Sequence, residues 1–128
     1  MSDQNKDLPV ADVALEPYWA AAREGRLLIK HCNACGRVHY YPRAHCPFCM
    51  SADTAWREAS GEGTVYSWSV ERRAQPPYAM AFVTLAEGPT LMTNLVDCDF
   101  DRIAIGERVR LAFETRDGQP TPVFKPVD

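Results

Sequence analysis

Two Cys-x-x-Cys pairs constrain the fold of this chain more than any other feature. The first pair lies in residues 32–35 and is followed by Gly36, and the second lies in residues 46–49 and contains Pro47. Gly and Pro favour tight turns that aim backbone amides at nearby sulfurs, and four thiolates in a tetrahedron are what a closed structural Zn²⁺ site requires. The spacing therefore predicts a zinc ribbon that holds one structural zinc. The predicted ligands are Cys32, Cys35, Cys46 and Cys49.

Three alternatives for this cluster stay open. The cysteines could be free or disulfide-bonded, although their spacing is typical of a metal site. A tetrahedral four-sulfur site also accepts iron. His31, His39 and His45 lie beside the predicted ligands, so an imidazole could replace one thiolate, although four cysteines already have the required spacing. Otherwise these histidines are surface residues or hydrogen-bond neighbours of the ribbon.

Composition and charge narrow the class of protein. With 46% hydrophobic and 10% aromatic residues among 128, the chain can bury a core as one domain or two very small ones. Its net charge of −3 supplies no overall basic field for nucleic acid. There is no apolar block after a basic start, and no apolar run of the roughly 20 residues that a membrane span needs. Paired thiols without an export signal predict a cytoplasmic protein that does not enter a membrane.

The region 1–25 predicts an arm and one helix. Residues 1–15 show little apolar periodicity and predict a loosely ordered arm, whereas residues 16–24 favour a short helix. A helix of this length does not fold alone, so it must dock on this chain, a second copy or another protein. Because Tyr and Trp are typical interface anchors, Tyr18 and Trp19 are the candidate partner-binding residues. Docking on the chain's own barrel is the competing interpretation.

The region 26–59 is the predicted zinc ribbon. Short strands are predicted at residues 26–31 and 37–41, around the first cysteine pair. A third is predicted at residues 54–59, where Trp56 is expected to cover the metal site. The block has too few apolar residues for a core of its own, and a unit of roughly 40 residues or fewer usually needs a metal to fold.

The region 60–128 predicts an all-β unit. Runs rich in β-branched and aromatic residues alternate with Gly/Pro turns, which predicts strands at residues 63–72, 78–86, 90–96, 108–115 and 122–125. Five short strands in about 65 residues suggest a small closed barrel, for which an OB-fold is the best fit. The predicted fold class is therefore mainly β: an N-terminal helix, a zinc ribbon and a five-stranded OB-fold barrel.

The order and spacing of motifs along the chain resemble a known family. The matching residues are Tyr18-Trp19, Cys32, Cys35, Gly36, Tyr41-Pro42-Arg43, Cys46-Pro47, Cys49, Trp56, Gly61, Gly63-Thr64-Val65-Tyr66-Ser67, Pro77-Tyr78, Glu87-Gly88, Ile105-Gly106-Glu107-Arg108-Val109 and Phe124. In these features the chain resembles the DUF35 proteins, which combine a rubredoxin-like zinc ribbon with an OB-fold. The resemblance covers nearly the whole length and leaves out the first 15 residues.

The resemblance implies a non-catalytic accessory subunit. Members of the family form complexes with thiolase-like acyltransferases, hydroxymethylglutaryl-CoA synthase-type enzymes, and hot-dog hydratases or aldolases that act on acyl-CoA. It implies a structural zinc and a hetero-oligomer with a thiolase-like enzyme or, failing that, a hydratase-like one. Some members are thought to hold or channel the CoA ester, so a CoA ester shared with the partner is a candidate second ligand.

A CoA ester needs cations for its phosphates and a slot for its pantetheine arm. Arg72 and Arg73 offer a cationic edge, and Pro77 and Tyr78 offer an aromatic wall beside it, so these four are the candidate CoA contacts. The alternative, in which the arginine pair is a solvated strand end, stays open.

No catalytic residue is predicted. A closed four-cysteine site cannot activate water. Cys98 lies between Asp97 and Asp99, whose negative charge disfavours a thiolate, so we expect an idle or buried thiol there. An independent thioester enzyme that uses Cys98 is a lesser hypothesis.

The alternative function is a nucleic-acid-binding zinc-ribbon/OB module. Tyr66, Trp68 and Tyr78 could act as stacking platforms. Few basic residues lie near them, however, and aromatics at alternating strand positions are expected to fill the barrel core. Nucleic acid is therefore the second hypothesis.

Overall fold

The computed structural model describes residues 15–40 and 43–127. The predicted arm, apart from Leu15, lies outside these ranges, as do Tyr41 and Pro42. The described chain contains the helix α1 (Glu16–Arg23) and the strands β1 (Leu28–Cys32), β2 (Val38–His39), β3 (Thr54–Glu58), β4 (Glu62–Glu71), β5 (Tyr78–Leu85), β6 (Thr90–Leu95), β7 (Arg108–Arg116) and β8 (Gln119–Pro126). The mainly β fold class is thereby confirmed.

The helix α1 ends one residue before its predicted end. Pro17 lies in its first turn, where a missing amide proton costs no helical hydrogen bond, and Gly25 follows it at a φ of 80°. Its buried side consists of Tyr18, Ala21 and Ala22, which face β1 and β8 of the same chain. Among the described residues no helix is long and apolar enough to span a bilayer.

The first sheet is antiparallel, with strand order β2-β1-β3. Lys30 at its centre pairs with His39 of β2 and Trp56 of β3. The strand predicted at residues 37–41 pairs with β1 over only two described residues, Val38 and His39. This sheet carries both cysteine turns, as a zinc ribbon does.

The remaining five strands close into a barrel with the order β4-β5-β6-β8-β7. Antiparallel pairing joins all neighbours except β6 and β8, which meet in parallel where Leu95 pairs with Phe124. Alternate residues of β5 and β6 are buried, as expected for strands with one face on a core. The predicted five-stranded OB-fold is confirmed.

The closing strand is twice as long as predicted. Asp117 and Gly118 both adopt positive φ values, 51° and 77°, which makes the two-residue hairpin that best matches strand twist. This turn brings Arg116 opposite Gln119, and pairing then continues to Pro126 opposite Val109. The prolines of β8 obscured this strand in the sequence, since proline cannot donate a ladder hydrogen bond.

One hydrophobic core serves the helix, the ribbon and the barrel. Tyr18 from α1 and Leu27 and Ile29 from the ribbon lie in the same buried cluster as Val83 and Phe124 of the barrel. The ribbon therefore buries its apolar residues against the barrel, because its own sequence has too few for a separate core. The boundaries at residues 25 and 59 stay predictions.

Gly63 of β4 allows a close approach of β5 in the barrel. A Cβ atom added there would lie 2.7 Å from Val83 Cγ1 and 2.9 Å from the Thr84 carbonyl oxygen. We expect Gly63→Ala to lower the free energy of unfolding by about 1–3 kcal/mol, because the backbone of β5 must shift. Denaturant unfolding measures this, with the exposed neighbour Thr64→Ala as control. Equal stability of the two variants would contradict the geometry.

Candidate metal centre and ligand cavity

The sulfurs of the two cysteine pairs converge on one point. The four Sγ atoms lie within 4.8 Å of one another, with 3.6 Å between Cys32 and Cys49 and 3.7 Å between Cys35 and Cys46. A disulfide would need about 2.05 Å. Sulfurs at about 2.3 Å from a tetrahedral Zn²⁺ are separated by roughly 3.8 Å, so the donor set fits this ion. The four cysteines are arranged to bind one zinc.

Each pair sits in a turn of the same construction. The Gly36 amide donates to the Cys32 carbonyl oxygen at 2.9 Å, and the Met50 amide donates to the Cys46 carbonyl oxygen at 2.8 Å. Both turns end in the left-handed region, at a φ of 79° for Gly36 and 69° for Met50. Backbone amides also donate to sulfur, from Cys35 to Cys32 at 3.4 Å and from Phe48 to Cys46 at 3.3 Å. The turns are built to stabilise negative charge on sulfur.

Because the four sulfurs lie close together, the pKa values of Cys46 and Cys49 shift in opposite directions. Burial acts to raise the pKa of Cys46, but the backbone amides of Cys49 and Phe48 lower it to about 7. A hydrogen bond with the Ser51 backbone lowers the pKa of Cys49, yet the neighbouring sulfurs raise it to about 12. Four thiolates so close together need a cation, which a divalent metal ion supplies.

The three histidines do not join the cluster. Among the described residues, the potential metal-binding group contains the four cysteines alone. His31 is half-buried on β1 and His45 is exposed, whereas His39 on β2 is only 6% exposed. Burial lowers the pKa of His39, and the charges of Lys30 and Arg43 lower it further. His39 is a neutral neighbour of the ribbon.

Tyr18 and Trp19 lie on the chain's own core. Tyr18 is 3% exposed and its hydroxyl is 3.2 Å from that of Tyr40. Trp19 is half-buried and packs edge-on against Tyr18 at 5.2 Å. The ring of Tyr18 is thus enclosed within this chain, whereas part of the Trp19 side chain stays exposed to solvent. A partner-binding role for the pair stays a prediction.

A cavity of about 830 Å³ opens between the β4–β5 loop and the end of β6. Pro77 and Tyr78 line it, whereas Arg72 and Arg73 do not belong to its lining. Arg72 instead donates to Asp101 at 2.9 Å in an exposed ion pair. The structure therefore brings two of the four candidate CoA contacts together and leaves the two arginines outside.

Other residues of this cavity were not identified from the sequence. Apolar walls come from Leu95 and Phe100, and charged groups from Asp97, Asp99, Glu114 and Arg116. They derive from two strands and a loop that are distant in sequence, so no local motif could have found them. Three carboxylates against one guanidinium disfavour a phosphate and leave room for an apolar or amide-bearing segment.

Cys98 also lines this cavity but is poorly suited to be a nucleophile. Its thiol is half-buried and lies 3.7 Å from the Leu95 carbonyl oxygen. Burial raises the pKa of Cys98, and the charges of Glu107, Asp97 and Asp99 raise it further. All three histidines of the chain fall in the ribbon sequence. This environment disfavours a thiolate at Cys98, and the idle thiol stays a prediction.

Alkylation tests this environment. Because burial and the charges of Glu107, Asp97 and Asp99 raise the pKa of Cys98, the thiolate is scarce at neutral pH. We expect iodoacetamide to modify Cys98 in the zinc-loaded protein more slowly than a free cysteine in a peptide, with the rate still rising above pH 9. Mass spectrometry of the labelled peptide follows the reaction. A fast reaction that levels off near neutral pH would revive the nucleophile hypothesis.

The expectation that the aromatic side chains of β4 and β5 fill the core is wrong. Tyr66 is 66% exposed, Trp68 39% and Tyr78 43%. Tyr66 follows the alternation of β4, in which Thr64 is exposed and Val65 is buried, and so it faces outward. It is also the residue left unpaired where the register shifts between Val65 and Ser67. Among the described barrel residues, the buried side chains are small or aliphatic apart from Phe124.

Two family models match the chain. The model described as the ChsH2 rubredoxin-like zinc ribbon domain matches residues 19–55, and that described as the ChsH2 C-terminal OB-fold domain matches residues 56–114. The models correspond to the sheet that carries the cysteines and to most of the barrel.

Curated relatives agree with these matches. A probable enoyl-CoA hydratase alpha subunit of Thermomonospora curvata is 40% identical over 115 residues, which is 85% of this chain. This chain spans only 36% of that relative. A DUF35 domain-containing scaffold protein of Methanocaldococcus jannaschii is 32% identical, with 86% of this chain and 89% of the relative covered.

Solved structures give the same assignment. A chain of the Ltp2-ChsH2(DUF35) aldolase superposes with a TM-score of 0.77 and 37% identity, with 93% of this chain and 98% of that one covered. A DUF35 protein of Sulfolobus solfataricus, with a TM-score of 0.66 and 14% identity, supports the fold alone. The resemblance found in the sequence is confirmed, and the chain belongs to the DUF35 family of zinc-ribbon and OB-fold proteins.

Proposed function

We propose that this chain is a non-catalytic, zinc-containing accessory subunit of an acyl-CoA-processing complex. The observation that carries the proposal is the match at 37% identity, over 93% of this chain, to the DUF35 chain of a structure described as an aldolase. The relative named as a hydratase alpha subunit points to the same chemistry. The partner in this proposal is a thiolase-like acyltransferase, with a hydratase-like enzyme as the alternative.

The chain's own residues support a role without catalysis. Four cysteines fill a tetrahedral site, so a zinc held there ties two turns together and keeps no open position for water. Cys98 has a raised pKa and carboxylates around it. The partner would therefore supply the nucleophile and the acid–base groups. A reducing compartment such as the cytoplasm keeps the four cysteines available for metal.

The cavity beside Tyr78 is the proposed contact with the CoA ester. Its apolar walls and acidic rim suit the pantetheine or acyl portion better than the phosphates. Arg72 and Arg73 are exposed outside it, at the end of β4, where they could reach phosphates once Arg72 leaves Asp101. Exposed ion pairs of this kind contribute only about 0–1 kcal/mol, so Arg72 could leave Asp101 for a phosphate at little cost in free energy.

A pair of tyrosine variants tests this contact. In the reconstituted complex we expect Tyr78→Ala to weaken acyl-CoA binding about tenfold, because the ring forms a cavity wall. Tyr66→Ala is the matched control, since Tyr66 is also exposed but lies outside the cavity lining. Calorimetric titration of the complex with an acyl-CoA measures both. Equal affinities of the two variants would refute the proposed contact.

A nucleic-acid-binding module is the second candidate. The exposure of Tyr66 and Trp68 favours it, because stacking on bases needs accessible rings. The net charge of −3 argues against it, since phosphate binding needs a basic surface. Nucleic acid that co-purifies with the chain and is lost as salt rises would support this candidate over the accessory subunit.

A further inference from the structure

Lys30 is a buried cation without a carboxylate partner in the described part of the chain. It is 9% exposed and lies at the centre of the ribbon sheet. Its ammonium donates to the Thr54 hydroxyl at 3.1 Å and lies 4.4 Å from the centre of the Trp56 ring. An ammonium has three protons to donate and loses its hydration on burial. One neutral acceptor and one aromatic ring do not balance that loss.

The negative charge that could offset the Lys30 ammonium belongs to the cysteine cluster, which includes Cys32 of the same strand. Lys30 and Cys32 are two residues apart on β1, so their side chains share one face of the sheet. Cys32 pairs directly with Thr54, the residue whose hydroxyl accepts from Lys30. Directly opposed residues place their Cβ atoms about 5 Å apart. The ammonium therefore lies on the same face of the sheet as the Cys32 side chain and reaches the residue that pairs with Cys32.

Charge balance explains why a cation is needed there. Four thiolates and one Zn²⁺ sum to a net charge of −2 in a site where two of the cysteines are buried. Backbone amides offset part of this charge through the hydrogen bonds to Cys32 and Cys46. We propose that the Lys30 ammonium is the built-in counter-cation of the zinc tetrathiolate, and that it strengthens zinc retention. This inference is independent of which partner or ligand the chain binds.

The other basic side chains nearby do not fill this role. His39 lies opposite Lys30 on β2, yet neither ring nitrogen has a hydrogen-bond partner among the described residues. Arg37 and Arg43 are exposed and keep their hydration, and Arg37 lies over the Phe48 ring at 4.8 Å. Within the described chain, Lys30 is the buried charged residue next to the metal ligands.

Substitution by methionine separates charge from packing. Lys30→Met keeps an unbranched apolar side chain against Trp56 and removes the ammonium. Lys30→Arg keeps a cation at this position. We expect Lys30→Met to release zinc to a coloured chelator about tenfold faster, in line with the loss seen when groups around metal ligands are changed. Lys30→Arg should stay close to the wild-type rate.

Arg57→Met is the matched control for loss of a positive charge on this sheet. Arg57 is exposed on β3 opposite Ile29, so its side chain lies on the other face from Lys30. We expect it to release zinc at the wild-type rate. Circular dichroism of the zinc-loaded proteins before chelation shows that each variant is folded. If Lys30→Met folds and holds zinc as tightly as the wild type, or if Lys30→Arg fails as badly as Lys30→Met, the counter-cation role is overturned.

Discussion

Replacing Cys35 with serine releases about one zinc per chain and unfolds the ribbon. Cys35 is exposed, so the substitution removes almost no buried surface and acts through the metal. Structural zinc contributes on the order of 10 kcal/mol to the folding of small ribbons, and a hydroxyl is a poor substitute for a thiolate. Because β4–β8 close into a barrel by their own strand pairing, we expect them to stay folded while β1–β3 lose order. The barrel should be less stable than in the wild type, since Leu27 and Ile29 leave the shared core.

Metal analysis by mass spectrometry, combined with amide hydrogen exchange, measures both effects. Cys98→Ser is the control, since this fifth cysteine lies outside the cluster and should leave zinc content unchanged. The same analysis distinguishes zinc from iron in the wild type. A folded Cys35→Ser variant that still holds one zinc would refute the four-cysteine site.

Phe124→Ala lowers the free energy of unfolding by about 3–5 kcal/mol. Phe124 is the largest fully buried side chain of the described core, so its truncation leaves a cavity there. Phe124 also sits where β6 meets β8 and closes the barrel. Small domains have only about 5–15 kcal/mol of stability, so much of the variant is unfolded at moderate temperature.

Phe82→Ala is the matched control for the same truncation on the outer face of β5. Phe82 is 39% exposed, so its loss should cost far less stability. Urea unfolding of the zinc-saturated proteins gives both values. Comparable losses for the two variants would mean that the barrel core is not centred on Phe124.

The metal site could be predicted because all its information is local. Each Cys-x-x-Cys turn fixes its own geometry, and Gly36 marks the left-handed position that ends the first turn. Met50 occupies the equivalent position of the second turn, and its left-handed conformation has no sequence signal. The positions of the strands could also be predicted, from the alternation of apolar residues and from the turn residues between them. The main exception is β8, whose prolines hid half of its length.

The surfaces could not be predicted, because they depend on how distant strands meet. Which face of β4 and β5 turns to the core depends on how the strands pair, so the exposure of Tyr66, Trp68 and Tyr78 was missed. The cavity beside Tyr78 combines segments that only barrel closure brings together. The burial of Lys30 was hidden for the same reason. Lys30 lies near the end of the strand predicted at residues 26–31, and only the pairing with β2 and β3 encloses it.

The most direct test of the accessory-subunit proposal is affinity purification of the tagged chain from its native cell at moderate salt. Mass spectrometry identifies the eluted proteins, and size-exclusion chromatography gives their ratio. The proposal predicts a thiolase-like or hydratase-like acyl-CoA enzyme in a fixed ratio that persists through the column. Nucleic acid that washes off with salt, with no such enzyme present, would contradict it.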